Sequence, residues 1–251
     1  MKLELSDANF PTFKNAISLM KTVNEELTLN FDDEGIRVRG MDPSHVAMID
    51  IRLKPGLFDR FDKTEDMITV NLAEFYRFLD RVEKGEQVKI IYDKKEAKLA
   101  ILTERGGTKR RFALPTLEPL DDEVPEPKIF WKSEGRILTQ SIDRAIKDSD
   151  LVAEHVKIMF TNDSLVFNAV GDVGSARNEW EKDSDELLEL KSEEDSTATF
   201  TLHYLKDMFA QLKNLTDVVT LHLANDMPLR IESDENENIE IDLYLAPCIG
   251  V

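Results

Sequence analysis

Apolar and polar residues alternate with period two through Leu27, Leu29 and Phe31, break at Asp32-Asp-Glu-Gly35, and resume at Ile36 and Val38. This pattern predicts an antiparallel hairpin with one buried face. Val156, Ile158 and Phe160 repeat the alternation in the second half of the chain. Elsewhere the apolar spacing lengthens to three and four, as one face of a helix requires. Phe13, Ile17 and Met20 mark a first helix. Leu72, Phe75, Leu79 and Val82 mark a second over residues 72–84. Ile142, Ala145 and Ile146 mark a third, and Leu205, Met208, Phe209 and Leu212 a fourth over 202–213. Short strands are expected at 2–6 and 128–132. A three-strand meander follows the second and fourth helices, with turns near 93–96, 104–108, 224–227 and 234–238.

The same order of elements thus occurs twice. Phe13, Ala16 and Ile17 recur 129 positions later as Ile142, Ala145 and Ile146, and Leu72, Phe75, Phe78 and Leu79 recur 130 later as Leu202, Leu205, Met208 and Phe209. Such a period far exceeds that of a solenoid and points to a duplicated domain. The expected fold is α+β: two domains, 1–113 and 128–251, each with two helices on one antiparallel sheet. Between them, 114–127 holds four prolines and five acids in 14 residues, which makes it extended. Leu114, Leu117, Leu120 and Val124 are apolar residues that a plain spacer would not need, so part of this linker is expected to pack on the body.

Charge narrows the function. The 251 residues carry 32 Lys+Arg against 50 Asp+Glu, a net charge of −18, so the surface is not basic all over. With 41% apolar residues the chain can build packed cores, and Cys248, its single cysteine, excludes an internal disulfide framework. No apolar run approaches a membrane span and residues 1–10 lack a signal-peptide core, so an intracellular protein is expected. No cofactor or metal is expected, because no motif for phosphate cradling, nucleophilic catalysis or metal ligation occurs among the four histidines and the single cysteine.

Cations nevertheless gather on the helical segments: Lys14 and Lys21 with the first, Arg77, Arg81 and Lys84 with the second, Arg136, Arg144 and Lys147 with the third, Lys206 and Lys213 with the fourth. Taken singly, each is an ordinary solvated-face residue. If all four faces point to one place, an acidic protein can hold a polyanion through phosphate contacts without sequence preference.

Three stretches resemble the proliferating cell nuclear antigen family of sliding clamps: Gly40-Met-Asp-Pro-Ser-His-Val-Ala-Met48, Asn225-Asp-Met-Pro-Leu229 and Tyr244-Leu-Ala-Pro-Cys-Ile249. The resemblance spans the whole chain, and it departs at Asp80, where the family commonly has a basic channel residue. It implies a non-enzymatic processivity factor, a homotrimeric ring whose twelve helices, at about 10 Å each, enclose a hole of roughly 28 Å, wide enough for duplex DNA. The ten cations above would face the DNA. Partners would be DNA polymerase, clamp loader, flap endonuclease and DNA ligase, held through short PIP-box peptides in a pocket of Met41, His45, Val46, Leu120, Val124, Pro228, Tyr244, Ala246 and Pro247. Subunits would join edge to edge through 108–114 and 174–180, with Lys109, Arg110 and Arg111 on one side and Ser175, Arg177 and Glu179 on the other. The compartment would be the cytoplasm or nucleoid of an archaeon, or a eukaryotic nucleus. A damage-checkpoint clamp subunit, a peptide-binding scaffold and a carboxylate-rich metal-dependent nuclease remain as competing readings.

Overall fold

In the computed structural model, residues 1–119, 124–234 and 236–250 are described. The first half runs β1 (Lys2–Leu5), α1 (Phe10–Val23), β2 (Glu26–Asp32), β3 (Gly35–Met41), β4 (Ala47–Leu53), β5 (Arg60–Asp62), β6 (Met67–Asn71), α2 (Leu72–Leu79), β7 (Gln87–Asp93), β8 (Lys98–Arg105) and β9 (Thr108–Pro115). The second runs β10 (Ser133–Leu138), α3 (Thr139–Asp150), β11 (His155–Phe160), β12 (Ser164–Gly171), β13 (Gly174–Glu181), β14 (Leu187–Ser192), β15 (Ser196–Thr201), α4 (Leu202–Leu212), β16 (Val218–Leu223), β17 (Leu229–Ser233) and β18 (Ile239–Leu245). The chain divides into two compact units. One comprises Met1–Pro43, Ile49–Val124 and Glu235–Glu240; the other comprises Ser44–Met48, Pro125–Asp234 and Ile241–Val251.

Both units use the same topology. In the first, β5-β1-β7-β8-β9 form one sheet and β4-β3-β2-β6 another. In the second, β14-β10-β16-β17-β18 and β13-β12-β11-β15 repeat that arrangement. The ladders are antiparallel: β1 with β7 and β2 with β6, β10 with β16 and β11 with β15. The periodicity suggested one sheet per half; the strands are shared between two. Alternation along a strand records that one face is buried, but not which strand lies beside it, and here partners sit a whole helix apart in sequence.

Local chemistry sets the elements. The hairpin from β2 to β3 closes with Asp32 paired to Gly35. Gly35 has φ of 124°, and a Cβ there would stand 2.0 Å from the Leu53 carbonyl oxygen, so only glycine fits. The second unit closes the matching turn differently: the Ser164 amide donates to Thr161 Oγ1 at 3.0 Å. Phe13 of α1 is fully buried and meets Phe58 and Phe75 edge-on, ring centroids 6.0 and 6.1 Å apart.

Two expected elements change. The second helix stops at Leu79 rather than at residue 84. Its start is capped by Asn71, whose side chain accepts from the Glu74 amide at 2.9 Å. At its end the bonding tightens, with the amides of Arg81 and Val82 reaching back three residues to Phe78 and Leu79, and Gly85 follows at φ 83°. The strand expected at 128–132 is absent; β10 begins at Ser133, and Phe130, counted as strand core, is 90% exposed.

The linker is partly docked, as its apolar residues suggested. Leu114 is buried at the end of β9, and the amides of Thr116 and Leu117 donate to Ala97 and Thr69 carbonyls at 2.9 Å each. The Val124 carbonyl accepts from Arg39 at 3.4 Å. Leu120 lies outside the described residues. Among those described, no helix is long and apolar enough to cross a membrane.

Candidate nucleic-acid interface and assembly edges

Within the first unit α1 and α2 pack side by side, and their cations converge on Tyr76 and Asp80. Lys14 Nζ reaches Asp80 Oδ1 at 2.7 Å and lies 5.6 Å from the centroid of the Tyr76 ring; Lys21 Nζ stands 4.5 Å over the same ring. A ring face attracts an ammonium without cancelling its charge. The Asp80 carboxyl is held below its ordinary value, by the Lys14 hydrogen bond first, with the charges of Lys14, Arg81 and Lys21 adding. Arg77 pairs with Glu74 at 2.9 Å on the exposed helix surface. Arg81 and Lys84 fall beyond the helix end, on the turn that leads to Gly85.

In the second unit α3 and α4 also pack together. Asp143, nearly buried, accepts from Lys147 at 2.7 Å and from Lys213 at 2.9 Å. Burial alone would raise its carboxyl, but the two lysine hydrogen bonds outweigh that and hold it low. Lys206 pairs with Asp150 at 2.5 Å. Arg144 donates to Glu186 at 2.7 Å, and the Trp180 indole donates to the same carboxylate at 2.8 Å. With Arg144, Trp180 and Ser141 all donating to it, Glu186 is drawn down to about 2.

Arg136 is not on the third helix. It lies on β10, where Nε donates to Asp234 Oδ1 at 2.8 Å and Nη2 to Oδ2. The helix begins only after Leu138, which is extended, and the in-out alternation of 133–138 is the strand signal that the cation count overlooked.

The structure places both expected joining strands at sheet edges. β9 ends the five-stranded sheet of its unit and β13 the four-stranded sheet of its own. Residue by residue the two strands share one pattern of exposure, open at the first two positions, alternating, and buried only at the seventh, Leu114 and Trp180. Lys109 and Arg111 of β9, and Ser175, Arg177 and Glu179 of β13, are exposed. Arg110 is not available with them: it turns inward to Glu86 at 2.5 Å, to the Arg81 carbonyl at 2.9 Å, and over the Phe112 ring. Phe112 stacks on Phe78 at 5.6 Å. Sequence reasoning missed Leu151, Val170 and Val173, exposed by 78%, 70% and 81%. They gather where the β12–β13 hairpin meets the end of α3, since Gly171 abuts the Val152 carbonyl. Two valines flanking a Gly-Asp turn were the available signal.

Of the expected peptide pocket, His45, Val46, Pro228, Tyr244, Ala246 and Pro247 belong to the second unit. The Ala246 amide donates to the Val46 carbonyl at 2.8 Å, and the pairing of Leu229 with Leu245 sets Pro228 at the same end of that ladder. His45 is exposed at a left-handed φ of 57°, and Tyr244 is buried. Met41 and Val124 belong to the first unit, where the Met41 carbonyl accepts from Asn24 at 2.9 Å. Among the described residues, no group of three or more His, Cys, Asp or Glu is placed to hold a metal ion.

Comparison with known proteins supplies a family for this geometry. The family model "Proliferating cell nuclear antigen, N-terminal domain" matches residues 2–117, and "Proliferating cell nuclear antigen, C-terminal domain" matches 132–248. The DNA polymerase sliding clamp 1 of Pyrobaculum aerophilum is 26% identical over 238 residues, and the DNA polymerase sliding clamp of Nitrosopumilus maritimus 29% over 237; each match covers 94% of both chains. Among solved structures, PCNA from Thermococcus kodakaraensis superposes with a TM-score of 0.88 at 22% identity, covering 98% of this chain and 99% of that one. A. fulgidus PCNA, solved with the C-terminal region of FEN-1 bound, has a TM-score of 0.88 at 19% identity, covering 100% and 99%. At these identities the two structures speak to the fold.

Proposed function

The chain belongs to the proliferating cell nuclear antigen family, and from that footing we propose that it is a DNA sliding clamp. In this reading three copies close head to tail into a ring around duplex DNA and tether DNA polymerase, the clamp loader, flap endonuclease and DNA ligase through short peptide motifs. The clamp itself does no chemistry and works inside the cell. The observation that carries the reading is the pair of open edges. β9 and β13 are different strands on different units with matching exposure, and two unlike, complementary edges per copy build a head-to-tail assembly, which closes into a ring when the rotation permits. Lys109 and Arg111 against Glu179 and Glu181 supply charge complementarity, and the exposed Leu151, Val170 and Val173 supply apolar area beside β13.

A closed ring needs no tight grip. Threaded DNA cannot leave sideways, so weak phosphate contacts permit sliding, and a tethered polymerase rebinds the primer end before it diffuses away. The proposed peptide site combines apolar walls from Val46, Pro228 and Pro247 with the exposed His45, and it accounts for flap-endonuclease binding of the kind seen in the A. fulgidus complex.

Two measurements test the proposal. Light scattering on the purified chain should give three times its 28.7 kDa mass. Loaded protein should persist on covalently closed circular DNA and run off the same DNA once linearised. Equal lifetimes on both would refute the ring, and assembly only with a different polypeptide would favour the checkpoint-type subunit.

A further inference from the structure

The helix segments that the clamp reading turns toward DNA are not equally charged. Residues 10–23 and 72–84 carry five cations against three acids, whereas 139–150 and 202–213 carry four against four. The ion pairs sharpen the difference. In the second unit every helix cation is committed to a carboxylate of its own unit: Lys147 and Lys213 to Asp143, Lys206 to Asp150, Arg144 to Glu186. In the first unit Lys21, Arg81 and Lys84 have no carboxylate partner among the described residues. Lys21 is instead steadied by the neutral ring of Tyr76.

The difference matters because phosphate affinity comes from releasing the counterions condensed on DNA, and each neutralised phosphate releases them only if a cation brings net charge. An ammonium already 2.5–2.9 Å from its own carboxylate brings almost none. To touch phosphate it must either abandon that carboxylate or carry a second anion up against the first, and both oppose binding. Lys21 and Arg81 face no such conflict. Both also lie close enough to Asp80 for their charges to act on it, while Lys14 satisfies that carboxylate, so the cluster keeps a net positive charge.

We infer that the duplex is gripped by one unit of each chain: Lys21 and Arg81, around Tyr76, make the phosphate contacts, and the helices of the second unit form a charge-compensated wall past which DNA slides. This inference rests on the clamp reading and refines it, since it assigns uneven roles to two copies of one duplicated domain.

The test is a fluorescence-anisotropy titration of a labelled blunt duplex with the full-length assembly, at graded low salt. Three proteins are compared: the natural sequence, K21Q/R81Q, and K206Q/D150N, which removes a compensated pair whole. All four side chains lie at the surface, and the assembly state of each protein is checked by light scattering. K21Q/R81Q is expected to weaken binding at least tenfold and to lower the slope of log affinity against log salt by about one to two, at ~0.9 per lost phosphate contact. K206Q/D150N is expected to match the natural sequence. Equal losses in the two variants, or an unchanged slope in K21Q/R81Q, would overturn the uneven grip while leaving the clamp reading standing. An assembly of natural sequence that shows no salt-dependent binding would overturn both.

Discussion

Lys14 Nζ and Asp80 Oδ1, 2.7 Å apart, tie α1 to the C-terminal cap of α2, and the second unit makes the same joint with its signs reversed, Asp143 of α3 against Lys213 at the cap of α4, 2.9 Å apart. Asp143 stands 129 positions after Lys14, the repeat distance of the two helices. Duplication kept the joint and exchanged its charges. This explains Asp80, which stands where the family commonly has a basic residue: it is the partner that Lys14 requires.

The two joints should differ in strength. Asp80 is 59% exposed and its pair is screened, so K14A should cost under about 1 kcal/mol. The Asp143 side chain is 12% exposed and serves two lysines, so D143A should cost about 1–3 kcal/mol, read from urea denaturation midpoints.

Glu186 gives the fold a defined acid weakness. Its carboxyl is drawn from 4.5 down to about 2 by Arg144, then Trp180 and Ser141. A group depressed on folding stabilises the native state above its unfolded value, and that contribution disappears as pH falls through its folded value. Stability should therefore decline between pH 4.5 and about 2, and E186Q should flatten that part of a stability–pH profile while leaving the neutral-pH slope unchanged.

Edge-to-edge assembly should respond to charge. Lys109 and Arg111 are exposed on β9, and Glu179 and Glu181 on β13. K109E/R111E should shift the light-scattering mass from three chains toward one, and adding E179K/E181K should restore it. A mass unaffected by the first pair would remove these residues from the interface.

The peptide site should fail when its wall is charged. Val46 is half-buried beside Ala246, and V46E should weaken a labelled peptide with aromatic anchors by more than tenfold, about 1.4 kcal/mol, with an unchanged circular-dichroism spectrum.

Much of this was legible in the chain. The hairpin at Asp32 to Gly35, all four helices and the duplication follow from spacing, because burial of one face imposes a period that survives in the residues. What spacing does not carry is partnership. It could not say that β1 pairs with β7 beyond two helices, nor that Arg110 turns in to Glu86 while Lys109 and Arg111 point out. Arg136 shows the cost of counting cations by neighbourhood: three residues short of α3, it belongs to a strand and to Asp234. The exposed Val170 and Val173 escaped for the opposite reason, since apolar residues were sought for the core and these stand outside it.

The unlikeness of β9 and β13 reaches into genetics. A copy with a ruined β9 still owns a sound β13, so it could dock on one neighbour while offering nothing to the next. In a cell making both kinds of copy, intact circles would fall as the cube of the healthy fraction. A single damaged allele would then act dominantly, and a lesion confined to one strand would poison assemblies built mostly from healthy chains.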